Sequence, residues 1–85
     1  MKEFLVEEIS QIVGGMLTKV EDTKIRMIAP PLLCDENMLA LALSEEEIAN
    51  LAKTKAKAAL TPLGVSFDGL TIIEVERPRL AMMKL

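Results

Sequence analysis

SEEEIANLAKTKAKAALTPLG, residues 44–64, decides how many strands this chain has and what covers them. Serine followed three residues later by glutamate is the capping-box pattern: Ser44 accepts the Glu47 backbone N–H, and the Glu47 side chain returns to the Ser44 N–H. Acids fill the first turn and Lys53, Lys55 and Lys57 come towards the end, matching both poles of a helix macrodipole. Ile48, Leu51, Ala52, Ala56 and Ala59 form a narrow small-residue face that could lie close on a sheet. The spacing predicts a helix over residues 45–60, closed by Thr61-Pro62-Leu63-Gly64.

Upstream, MLALAL (38–43) alternates leucine on one face with methionine and alanine on the other. Neither face suits water, so this strand is central or covered on both sides. KIRMIA (24–29) also alternates, with Ile25, Met27 and Ala29 opposite Lys24, Arg26 and Ile28, as a half-buried strand does. Pro30-Pro31 must stop or edge it, because proline donates no ladder hydrogen bond. LLCDEN (32–37) then joins the two strands as the corner of a hairpin. From Lys2 to Val20, apolar residues at spacings of three and four predict an amphipathic helix, with Glu3, Glu7, Glu8 and Gln11 on its polar side. Gly14-Gly15 either ends that helix or marks a close approach.

Downstream, Val65-Ser66-Phe67, Asp68-Gly69 and LTIIEVE read as a strand interrupted by a turn or bulge, or as a tight hairpin. Ile72 and Ile73 are adjacent, so both of its faces are partly apolar. Pro78 closes it, leaving an apolar tail, RLAMMKL. The expected order is helix-strand-strand-helix-strand-tail: one small α+β domain over residues 1–85, with a sheet of about three strands and two packed helices. So small a sheet, apolar on both faces, has too few helices to cover it, and self-association follows as an expectation.

Composition narrows function mainly by exclusion. Of the 85 residues 51% are apolar, yet phenylalanine occurs twice and tyrosine and tryptophan are absent, so the core must be aliphatic. A domain of this size buries only about 60–65% of the surface its unfolded chain exposes. The formal charge is −3, with ten acids against four bases in residues 1–47 and three against six in residues 48–85. That balance, with so few aromatics, argues against nucleic acid as partner. No apolar run reaches the roughly 20 residues of a membrane span, and the amino terminus is acidic where a signal peptide is basic, so a cytoplasmic location is expected. Cys34 is the one cysteine, so no intrachain disulfide can form.

Histidine is absent, which removes Ser-His and Cys-His nucleophile pairs and the usual zinc sites. Asp35 and Glu36 beside Cys34 raise a thiol pKa, so the cysteine is expected to be inert. Asp35, Glu36 and Asn37 carry oxygens suited to a hard cation but lack the calcium-loop spacing, and they are also ordinary turn residues. Glu45, Glu46 and Glu47 point about 100° apart on a helix and cannot converge on one substrate. Gly14-Gly15 before Thr18-Lys19 has the wrong order for a phosphate loop. No catalytic residue, cofactor site or metal site is assigned. The candidate partner-binding residues are Leu80, Met82, Met83 and Leu85 of the tail.

Three functions remain. The favoured one is a non-enzymatic interaction module that self-associates as a homo-oligomer, or binds a protein partner, through apolar sheet, helix or tail surface. The second is a binding protein for an apolar ligand such as lipid. The third is a small carboxylate-dependent enzyme, with Mg²⁺ at Asp35, Glu36 or Asp68.

Overall fold

A computed structural model describes residues 3–18, 20, 23–65 and 67–84. The chain runs β1 (Phe4–Leu5), α1 (Val6–Val13), β2 (Met16–Thr18), β3 (Lys24–Ile25), β4 (Met27–Ala29) and a 3-10 turn (Pro31–Leu33). It continues through β5 (Met38–Leu41), α2 (Glu45–Asn50), β6 (Ala58–Pro62), β7 (Thr71–Val75) and α3 (Pro78–Met83).

The helix that begins at Ser44 is far shorter than its sequence pattern predicts. Ser44 Oγ accepts the Glu47 N–H at 3.2 Å, while the Glu47 carboxylate accepts from the Ser44 hydroxyl and from the Leu43 N–H, both at 3.2 Å. The return bond therefore goes one residue further back than the ordinary capping box. After Asn50 the bonds tighten from Leu51 to Ile48, Ala52 to Ala49 and Lys53 to Asn50, the i→i−3 pattern in which helices finish. Thr54 Oγ1 then donates to the Pro31 carbonyl at 2.6 Å and accepts the Ala56 N–H at 3.2 Å. From there Lys55 and Lys57 face water while Ala56 and Ala58 face inward, and the chain enters β6.

β6 overturns the expected three-stranded sheet with two helices. Among the described residues there are three helices, a five-stranded mixed sheet in the order β2-β7-β6-β5-β4, and a two-stranded sheet of β1 and β3. β4, β5, β6 and β7 are parallel in sequence order, and β2 is antiparallel to β7. Residues 58–61 of β6 are fully buried. Alanine's helix preference is worth only about 1 kcal/mol per residue even against glycine. It yields to two backbone ladders and to the burial of Leu60, itself worth roughly 1.5–3 kcal/mol.

LLCDEN is a crossover and not a hairpin, because β4 and β5 are parallel, with Ile28 opposite Leu39. Pro30-Pro31 directs the chain out of the sheet into the 3-10 turn. Asp35 then returns it, taking the Asn37 N–H at 2.8 Å and the Arg26 guanidinium at 2.6 Å. KIRMIA is interrupted at Arg26, whose N–H donates to Asn37 O, so β3 and β4 belong to different sheets. The interruption shifts the alternation: Ile25 and Ile28 share one face and Met27 is exposed.

Both faces of the large sheet are covered. On one, Val6, Ile9 and Val13 of α1 and Ala81 of α3 pack with Ile25, Leu39, Leu60, Ile73 and Val75. On the other, the crossovers supply Cys34, Leu51 and Leu70 against Ala40, Ala42, Ala59 and Ile72. Leu39 and Ala40 are both buried, as the alternation of MLALAL requires.

Both expectations for Gly14-Gly15 hold. Gly14 ends α1 in the left-handed region at φ 67°, where glycine is favoured. Gly15 starts the return into β2 so close to β7 that a Cβ would lie 2.6 Å from Ile73 Cγ2 and 3.0 Å from Glu74 O. We expect Gly15→Ala to cost about 1–3 kcal/mol, read as a lowered urea midpoint with unchanged m. Amides of Ala59, Leu60 and Thr61 should be among the slowest to exchange, with strand Cα shifts by NMR, whereas a helix through residue 60 would give helical shifts there.

Candidate functional site

α3 leaves β7 through Glu76-Arg77 and opens with Pro78, whose fixed φ suits the first position of a helix. Ala81 anchors it in the core, so the side chains around Ala81 turn outward. Leu80 is 49% exposed and Met83 79% exposed, one turn apart, while Met82 is half-buried. Arg77, Arg79 and Lys84 are exposed on the same segment. At the carboxyl ends of β5 and β6, Leu43, Pro62, Arg77, Pro78, Arg79 and Leu80 line a concavity of about 340 Å³. This edge, where parallel strands end and loops begin, is the usual ligand side of such sheets.

Of the four tail residues singled out from sequence, Leu80 and Met83 thus project from a helix, Met82 turns partly inward, and Leu85 lies outside the described residues. Leu43, Pro62 and Arg77 were not legible as neighbours of Leu80, since the carboxyl ends of β5, β6 and β7 meet only once the strands are known to be parallel. The Arg77-Pro78-Arg79 run directly after TIIEVE is the available signal.

The other candidates lie in or beside turns. Cys34 is buried and donates its thiol to Ala29 O at 3.4 Å. Burial first, and then the Asp35 charge, push this thiol above its ordinary value, against the lowering effect of the Ala29 bond. The Asp35 carboxyl is held below the ordinary carboxylate range by the Asn37 N–H and then by Arg26. Glu36 and Asp68 are exposed. Among the described residues no group of three acids or thiols is placed to hold a metal ion, and no helix is long and apolar enough to cross a membrane.

Further concavities among the described residues include one of about 310 Å³ lined by Val20, Val65, Phe67, Leu70, Ile72 and neighbours, and one of about 480 Å³ between Glu3, Arg26, Met27 and Met38. No protein-family model matches the chain, and no curated protein matches it in sequence.

The lowered Asp35 pKa gives a signed prediction. Its ion pair and turn bond contribute stability fully above the ordinary carboxylate value, and that contribution is lost as pH falls through the lower folded-state value. Asp35→Asn should therefore be less stable than the parent at neutral pH, with the difference shrinking in acid. Urea midpoints measured along a pH series check this, and a difference that grows in acid contradicts it.

Proposed function

We propose that this domain is a non-enzymatic interaction module that associates with a second copy of itself. The observation that carries this is the exposure of Leu80 and Met83 on α3. Both faces of the sheet are already filled by helices and crossovers, so these side chains are not spare core. Leu5 and Ile12 are exposed too, beside and on α1, whose buried residues enter the same core cluster as Ala81 of α3, and contiguous exposed apolar surface marks interaction sites. Methionine adapts to such contacts because its side chain is unbranched and polarizable.

A carrier of an apolar ligand is the second function, favoured by the concavities lined by Leu43 and Leu80 and by Phe67 and Leu70. Their volumes reach the lower end of the range typical of ligand sites.

Light scattering across a wide protein concentration range tests the first. The mass should rise above the 9.3 kDa of one chain as concentration increases, and a constant monomer mass overturns self-association. Native mass spectrometry of freshly purified protein separates the two functions, because a carrier retains added small-molecule mass on the monomer.

A further inference from the structure

We propose that the self-association is a two-fold pairing in which α1 of each protomer lies on α3 of the other. This rests on the self-association proposed above and names its surface.

α1 and α3 occupy the same side of the sheet, since Val6, Ile9 and Val13 of one and Ala81 of the other enter the same core cluster. Their outward sides are of opposite charge. The α1 side presents Leu5, at the end of β1, with Glu8 and Ile12 of α1 at spacings of three and four, and Glu7 and Gln11 are exposed on the same helix, which carries no base in its last turn. Leu5 is 39% and Ile12 42% exposed. α3 presents Leu80 and Met83 flanked by Arg77, Arg79 and Lys84, with no acid from residue 77 to residue 84. Lys24 lies opposite Leu5 and Glu76 precedes Arg77, so neither side is of a single sign, but acids predominate beside Leu5 and Ile12 and bases beside Leu80 and Met83.

A two-fold axis repeats every contact: whatever residue i touches on the partner, that partner residue touches i in return. An axis lying in the interface plane, parallel to the sheet and running between the helices, sets the acidic α1 side against the basic α3 side twice over and brings Leu5 and Ile12 to Leu80 and Met83. Pairing α3 with α3 would oppose three cations to three, and pairing α1 with α1 would oppose acids to acids. Charge therefore selects the crossed arrangement and repels the like-on-like ones. The β4 edge is a poorer surface for a second copy: it is three residues long and ends at Pro30-Pro31, features that blunt strand edges.

The test uses the full chain with single charge reversals at exposed positions, Glu7→Arg and Arg79→Glu, by sedimentation equilibrium. Each homodimer should weaken by about tenfold or more, because both crossed contacts become like-charged. Mixing the two variants should restore a heterodimer within about threefold of the parent, because a copy of each makes one reversed pair and one native pair, both attractive. The parent's association should also weaken as salt rises. Circular dichroism and thermal melting verify folding, and Ile12→Ser offers a charge-free variant that should also weaken the dimer. A parent that stays monomeric overturns self-association itself and leaves this face to a different protein. A parent dimer indifferent to both reversals, with no heterodimer preference, overturns the crossed pairing alone and moves the interface elsewhere, such as the β4 edge.

Discussion

A strand packed on both faces by other layers has room only for small or precisely fitted apolar side chains, and its backbone must be paired on both edges. Residues 58–61 meet that constraint: Ala58, Ala59, Leu60 and Thr61 are sealed between α1 with α3 on one side and the crossovers on the other. Most other features follow from it. Parallel neighbours on both edges make the connections cross over instead of turning back, which places the 3-10 turn, α2 and the Phe67–Leu70 loop on one face. The opposite face is left to α1 and α3.

How much of this is legible in the sequence depends on which signals compete. The start of α2 is legible because Ser44 and Glu47 act within one turn. Its end is not, because alanine is the best helix former and residues 56–60 look helical until their burial is known. The contrary signal is the Lys-Thr-Lys-Ala-Lys-Ala alternation of residues 53–58, a period of two inside a segment read with a period near 3.6. β2 reads as a continuation of α1 in the same way, since Met16, Leu17 and Val20 continue the helical spacing by coincidence after Gly14 has ended the helix. Two residues separate the end of β7 at Val75 from Pro78, which opens α3, and a proline read only as a strand stop makes the segment look like a tail. LLCDEN misled because Pro-Pro and Asp-Asn serve a crossover as well as a hairpin.

The candidate surface divides similarly. Leu80 and Met83 stand out in the sequence as apolar residues with no evident core role, and they are exposed. The setting of Leu80 joins Arg77 and Arg79 of its own segment to Leu43 and Pro62 of two others, and only the Arg77-Pro78-Arg79 run announces it locally. The absence of histidine had the converse effect: a single compositional fact narrowed the chemistry available before any fold was known. Cys34, the most conspicuous residue of LLCDEN, contributes a buried methylene and a weak hydrogen bond and lends its carbonyl-bound thiol to packing.

The pairing of β2 with β7, Met16 opposite Glu74 and Thr18 opposite Ile72, also orders events in time. On a ribosome, residues 16–18 emerge long before the strand they need, and Gly15 has no surface to approach until Ile73 and Val75 arrive. Such long loop closure costs entropy before any contact rewards it, which slows folding relative to chains built from local contacts. In the interval the apolar sides of α1 and β5 stand uncovered. The core therefore closes only when residues 71–75 join.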